Sequence, residues 1–176
     1  PASRLLGRSE RIIRIFTGGR RVDTVDKSPS VIVLLVHLAV TIFMTGLIWF
    51  VQIVHYPLFA RVDSQVFALY HDAHTRLTTW VVGPAMLVEA AIAVLLLAWR
   101  PAGVSFQMSL LGVLALAAIW ASTWLLQVPQ HHILASGFDD AAHSLLVDSN
   151  WIRTCGWTLR SLLALALVAK VMRRSD

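Results

Sequence analysis

The chain has 176 residues, of which 57% are hydrophobic and only 14% are charged, and its net charge is +5. Soluble domains carry about 25% charged residues. This deficit, together with a mean hydropathy of +0.68, excludes an ordinary soluble globular domain and indicates a membrane protein.

The first 30 residues form a basic arm that contains no apolar stretch of the length a signal peptide needs. Its apolar and arginine positions fall on opposite arcs of a helical wheel. This pattern predicts an interfacial amphipathic helix that ends at the glycine pair 18–19 and contacts anionic lipids. Nucleic-acid binding is not expected, because the basic residues lie mostly beside the membrane and are not interleaved with exposed aromatic residues.

Residues 31–176 contain four apolar runs, at residues 31–54, 80–98, 108–128 and 151–169. A helix needs about 20 apolar residues to cross the hydrocarbon core of a bilayer. We therefore expect an all-α fold, an integral membrane four-helix bundle, in which two longer loops, 55–79 and 129–150, lie on the same side.

The charges predict an orientation for this bundle. Basic residues concentrate at the two termini and in the short turn between the second and third runs, so the positive-inside rule places both termini in the cytoplasm. We expect a multi-pass protein of the bacterial cytoplasmic (inner) membrane with both longer loops on its outer face. The basic residues on the cytoplasmic side are Arg4, Arg8, Arg11, Arg14, Arg20, Arg21, Lys27, Arg100, Lys170, Arg173 and Arg174.

Six of the seven histidines gather at the expected outer face. In the stretch LYHDAHTR, His71 and His74 are three residues apart, a spacing that lets two imidazoles chelate one ion on a helix. Periodicity predicts that His74 lies on a side that faces the protein or the lipid headgroups, with His71 at its margin and Asp72 pointing away. The predicted side consists of Val66, Phe67, Tyr70, Ala73 and Leu77. The outer-face cluster consists of His55, His71, His74, His131, His132 and His143.

The histidine cluster has two interpretations. One is a metal site completed by the loop that carries His131, His132, His143 and the pair Asp139 and Asp140. The other is that these histidines are amphipathic interfacial residues without a ligand. The only cysteine, Cys155, excludes an intrachain disulfide.

Two opposite charges fall at matched depth inside the apolar runs. Glu89 and Arg160 each lie nine residues after a tryptophan that begins its run, which puts both about 13 Å inside the boundary. Because unpaired charges are costly there, we expect an ion pair that serves either as a proton or substrate site or as a structural link. His37, inside the first run, is a candidate ligand for a pigment or another cofactor.

Three segments resemble the family of small four-helix membrane proteins that includes the fungal anthrone oxygenases. They are Gly46 with the triplet HYP at residues 55–57, the stretch QVPQHHIL, and the stretch NWIRTCGWTLRSLLALA that contains Arg160. The resemblance implies a four-helix architecture and, less directly, oxygenase chemistry.

The sequence contains no nucleophile with its base, phosphate loop or dinucleotide fingerprint. We therefore favour an accessory or structural subunit of a larger bacterial membrane complex of the photosynthetic or respiratory kind, with other membrane subunits as partners. The alternative is a small membrane oxidoreductase or oxygenase-type enzyme with its site at the histidine cluster. For both functions the sequence leaves the cofactor undecided between a metal ion, a pigment, a quinone and a lipid.

Overall fold

A computed structural model describes residues 29–100 and 104–173, and every regular element in these ranges is helical. The interfacial helix expected in residues 1–30 lies outside the described residues. Four helical spans are long and apolar enough to cross a membrane: Val31–Arg61, Phe67–Ala98, Phe106–Leu134 and Asp140–Met172. They are called the first to fourth spans below, and their number and composition suggest a multi-pass membrane protein.

The second and fourth spans are single α-helices, whereas the other two change their helical type near one end. The first span consists of an α-helix at Pro29–Phe50, a π-helical turn at Val51–His55, an α-helical turn at Tyr56–Leu58 and a 3₁₀ turn at Phe59–Arg61. The third consists of α-helix at Phe106–Ser122, a π-helical turn at Thr123–Gln127 and α-helix at Val128–Leu134.

Helix continues through most of the two segments that the sequence assigned to loops. At the end of the bundle where these two segments lie, only residues 62–66 and 135–139 connect consecutive spans. The second connection needs Gly137, whose φ of 148° is disfavoured for residues with a Cβ. Asp139 then begins the fourth span by accepting a hydrogen bond from the Ala142 amide at 2.8 Å, as an N-cap residue does.

Two prolines explain the π-helical turns. Pro57 and Pro129 lack an amide hydrogen and clash with the carbonyl four residues before them. In both spans the residue before the proline bonds instead to the carbonyl five residues back: Tyr56 to Val51, and Val128 to Thr123. Such wide turns are often found at functional sites, and these two lie at the same end of the bundle.

The spans pack in a ring in which each contacts the next and the fourth contacts the first. The third and fourth spans pack closely at Gly156, where a Cβ would lie 2.7 Å from a side-chain carbon of Ile119. Small residues of this kind allow close helix packing in membranes.

The bundle buries many polar side chains beside an apolar core, and many of its large apolar side chains are exposed. Buried polar groups and exposed large apolar side chains in such numbers are unusual for a soluble protein and fit a bundle surrounded by lipid. The buried polar residues are His37, Thr41, Gln52, His71, Glu89, Ser109, Ser122, Gln127, Ser149, Asn150, Arg153, Thr154, Arg160 and Ser161.

Candidate functional site

Four histidines and a tyrosine meet inside the end of the bundle that carries the two π-helical turns, here called the histidine end. The Tyr56 hydroxyl lies 3.1 Å from His131 Nε2, and His131 Nδ1 lies 2.9 Å from His71 Nε2. These three residues come from the first, third and second spans. They form one hydrogen-bonded chain, the tyrosine chain, across the bundle.

A second hydrogen-bonded chain lies beside the first. His55 Nε2 is 2.7 Å from His74 Nδ1, and the same nitrogen of His74 is 3.1 Å from the Thr78 hydroxyl. The His74 ring lies 5.9 Å from the His131 ring, nearly parallel to it at 28°. We call His55, His74 and Thr78 the histidine chain; it packs directly against the tyrosine chain.

Apolar rings pack against both chains and limit their contact with solvent. The Phe59 side chain is fully buried, and its ring lies edge-on to His55 at 5.2 Å and to His74 at 5.0 Å. Phe67, also fully buried, stacks on His71 at 5.8 Å. The imidazoles therefore lie in a water-poor region, where hydrogen bonds are stronger than in water.

The structure corrects the predicted orientation of the second span. Its inward side carries Phe67, His71 and His74, and His71 is 1% exposed rather than marginal. Leu77, predicted to share a side with His74, is 63% exposed. Of the large apolar residues predicted for that side, Phe67 is buried, whereas Val66, Tyr70 and Leu77 are exposed, which a pattern based on burial in a soluble core misplaces. Asp72 is exposed, as expected.

The remaining residues of the predicted cluster have separate roles. His143 Nε2 lies 2.8 Å from the Tyr56 carbonyl oxygen and so supports the backbone of the tyrosine chain. His132 is exposed. Asp139 caps the fourth span, and Asp140 is exposed in its first turn.

Among the described residues, no group of three or more histidine, cysteine or acidic side chains is arranged to hold a metal ion. The imidazole nitrogens instead face each other in pairs across single hydrogen bonds. In this arrangement the cluster can pass or share protons, because each contact joins a nitrogen that donates to one that accepts.

An open cleft of about 390 Å³ leads from the side of the bundle to the histidine chain. His55, His74 and Thr78 lie at its polar end, and the rest of its lining is apolar apart from Tyr70. The cleft lies between the first and second spans, and its volume is typical of a site for a small organic ligand. The apolar lining residues are Leu47, Phe50, Val51, Ala73, Leu77, Val81 and Val82.

Farther into the bundle, buried amides and hydroxyls connect three spans. Gln52 accepts hydrogen bonds from Asn150 at 2.9 Å and from Thr154 at 3.3 Å. Gln127 donates to Ser149 at 2.9 Å and accepts from Ser122 at 3.0 Å. Both glutamines belong to π-helical turns, so the same local distortion that positions the histidines also aims these side chains inward.

Arg153 lies inside this polar region and is 8% exposed. Its guanidinium donates to Asn150 Oδ1 at 3.2 Å and lies 5.3 Å from the centre of the Trp157 ring. It also interacts electrostatically with Tyr56 and His131. Within the described ranges no carboxylate lies within salt-bridge distance of it, and its Nε has no hydrogen-bond partner.

The structure brings Glu89 and Arg160 together near the middle of the bundle. Arg160 Nε donates to Glu89 Oε1 at 2.9 Å, and both residues are at most 1% exposed. Thr41 and the Trp157 indole also donate to the Glu89 carboxylate, at 3.1 and 2.9 Å. Arg160 donates further to the Gly112 carbonyl, so both charges are compensated.

His37 belongs to this central group and not to the histidine end. Its Nε2 lies 3.5 Å from an Arg160 nitrogen. An enclosed cavity of about 20 Å³ adjoins His37 and Ser109, which is space for about one water molecule. The cavity is far smaller than a pigment, the group for which His37 was a candidate ligand.

Sequence reasoning missed Tyr56, Thr78 and Arg153 as parts of one site. A signal for the wide turn that carries Tyr56 was present, because a polar residue two positions before a proline recurs as His55-Tyr56-Pro57 and Gln127-Val128-Pro129.

Comparison with protein-family models, curated proteins and solved structures finds no match to the chain. The geometry of the site therefore carries the functional argument by itself.

Proposed function

We propose that the protein is a small membrane enzyme of the oxidoreductase or oxygenase type, in which the histidine cluster removes a proton from a lipid-soluble substrate. One observation carries this proposal: the apolar cleft ends at the hydrogen-bonded pair His55 and His74. Of the imidazoles in the cluster, His55 and His74 are the first that an apolar molecule would meet after entering between the first and second spans.

The arrangement of the two chains suits general base catalysis. An imidazole that accepts a proton becomes a cation, and a cationic donor makes a stronger hydrogen bond to its neighbour than a neutral one. His55 and His74 are already in contact, so either stabilises the protonated form of the other. Phe59 restricts water around the pair and thereby strengthens that hydrogen bond.

The tyrosine chain would sense that proton through the neighbouring His131 ring, which lies 5.9 Å from the His74 ring, and no hydrogen bond joins the two rings in the described structure. The contacts from Tyr56 through His131 to His71 permit two hydrogen-bond directions, which differ by the shift of one proton along each link. The buried polar residues beneath the two chains fix Tyr56 and the fourth span in position.

The resemblance to the anthrone-oxygenase-like family agrees with this reaction class. An accessory role in a photosynthetic or respiratory complex stays a prediction, since no observation on the described residues favours a partner subunit. We further propose that the protein lies in the bacterial inner membrane with both termini in the cytoplasm and the histidine end outward. Anionic lipids would then contact the basic face.

The test uses the full chain in nanodiscs of zwitterionic lipid, supplied with a panel of lipid-soluble ketones, phenols and hydroquinones. Substrate deuterium exchange and dioxygen consumption are measured for the parent, His74→Gln and His132→Gln. We expect the His74 variant to lose about 10²-fold or more in rate, as for loss of a general base, while the exposed His132 control retains the parental rate. No acceleration with any compound, or equal losses in both variants, would refute the proposed function.

A further inference from the structure

Arg153 is a buried cation whose surroundings compensate it poorly. Of its neighbours, Asn150 offers one neutral acceptor, the Trp157 ring offers its face, and Tyr56 and His131 carry no formal negative charge. An uncompensated charge inside a membrane protein is costly, and such residues commonly mark ligand or ion sites. The Nε–H, buried without an acceptor, points to the same deficit.

Arg160 provides an internal comparison seven residues farther along the same helix. Arg160 is at least as buried as Arg153, yet a carboxylate at 2.9 Å and a backbone carbonyl accept hydrogen bonds from it. Of the two arginines buried in the described residues, the fold thus supplies a counter-ion only for Arg160. The other lies beside the histidine cluster, where a ligand would be bound.

We propose that Arg153 is the binding site for an anionic oxygen, a carboxylate, enolate or phenolate, on the ligand of the histidine site. This inference rests on the proposed function for the location of the ligand. The Arg153 Nε–H, which is buried without an acceptor, is the donor available to that oxygen, and guanidinium groups bind such oxygens strongly. Proton removal from a neutral substrate leaves a negative charge that an unpaired guanidinium stabilises.

A second source of the same chemistry is the phosphate of an anionic lipid. The burial of Arg153 inside the bundle, together with its interactions with Tyr56 and His131, favours a ligand held within the site over a headgroup at the surface. The two sources are separated by competition, because an added anionic lipid such as phosphatidylglycerol would displace the carboxylate probe if Arg153 binds headgroups and would leave it bound if Arg153 serves a ligand held within the site.

The binding test needs no turnover. The full chain in phosphatidylcholine nanodiscs is titrated with dodecanoate and with dodecanol at about pH 8, where a carboxylic acid is ionised. We expect the parent to bind the carboxylate about tenfold more tightly than the alcohol, the value of one charged hydrogen bond. Arg153→Met should abolish this preference, and the exposed-arginine control Arg61→Met should keep it.

Thermal unfolding without ligand supplies the second readout. Removing an unpaired buried charge should leave the unfolding midpoint of Arg153→Met equal to or above that of the parent, whereas Arg160→Met should lower it. Equal lowering in both variants would make Arg153 a structural residue and overturn the assignment. If Arg153→Met does not fold, Arg153→Lys serves in its place, with a weakened but measurable preference for the carboxylate expected.

The remaining outcomes are also decisive. A parent protein that binds both probes equally, or an Arg153 variant that keeps the full preference, would overturn the anion site. Displacement of dodecanoate by phosphatidylglycerol would assign Arg153 to a lipid headgroup and overturn the ligand assignment. A carboxylate preference that depends on Arg153 in a protein without catalytic activity would retain the anion site and reject the proposed reaction.

Discussion

Arg153 and Arg160 lie two turns apart on the buried side of the fourth span, and of the two only Arg160 contacts a carboxylate in the part of the chain that the structure describes. The difference separates two uses of a buried charge. Arg160 and Glu89 link the second and fourth spans across the bundle, with every strong donor and acceptor matched. Arg153 lies next to Tyr56 and His131, and within the described residues no carboxylate neutralises its charge.

Removing one member of the Glu89–Arg160 pair should destabilise the bundle strongly. Each single change, Glu89→Leu or Arg160→Met, leaves one buried charge without its partner and should cost about 3–5 kcal/mol of unfolding free energy. The double variant should recover much of that loss, although Thr41 and Trp157 lose an acceptor. Unfolding in mixed micelles measures the cycle, and strictly additive losses would show that the two side chains act independently.

Gly156 should be far less tolerant of a methyl group than Gly46. A Cβ at position 156 would lie 2.7 Å from a carbon of Ile119, whereas nothing lies within 4 Å of a Cβ at position 46. Gly156→Ala should therefore cost about 1–3 kcal/mol through overpacking. Gly46→Ala should be neutral or stabilising by less than about 1 kcal/mol. Equal effects of the two changes on unfolding would contradict the close approach of the third and fourth spans.

The sequence predicted the pairing of Glu89 with Arg160 by a simple argument from depth. Both residues lie nine positions after a tryptophan that begins an apolar run, and the two runs cross the bundle in the same direction, so straight helices bring the residues to the same level. This reasoning needs no side-chain detail. It succeeds because charge in lipid leaves few alternatives to pairing.

The histidine end was harder to predict, for reasons that Tyr56 and His71 illustrate. A wide π-helical turn before Pro57 shifts the register of every following residue, so a regular helical wheel cannot place Tyr56. His71 was assigned to a margin because apolar residues were taken to mark the inward side. In the structure His71 is buried, whereas Val66 and Leu77 of that apolar set are exposed and only Phe67 of its large members is buried.

The proposed orientation predicts which side of the membrane each end reaches. In a Cys155→Ser background, Ser64→Cys should react with a membrane-impermeant thiol reagent in intact cells. Ser28→Cys should react only after permeabilisation, because the basic residues near it favour the cytoplasm. The opposite pattern would place the histidine end on the cytoplasmic side.

Mapping of a photoreactive ligand tests most directly whether the cleft delivers an apolar molecule to His55 and His74. The full chain in lipid nanodiscs is irradiated with an alkyl ketone that carries a diazirine, and the labelled residues are identified by mass spectrometry. We predict that labelling concentrates on the cleft residues Tyr70 and Ala73 and falls when unlabelled ketone is added. Labelling spread evenly over lipid-facing residues such as Leu69 and Leu125, with no competition, would contradict the account.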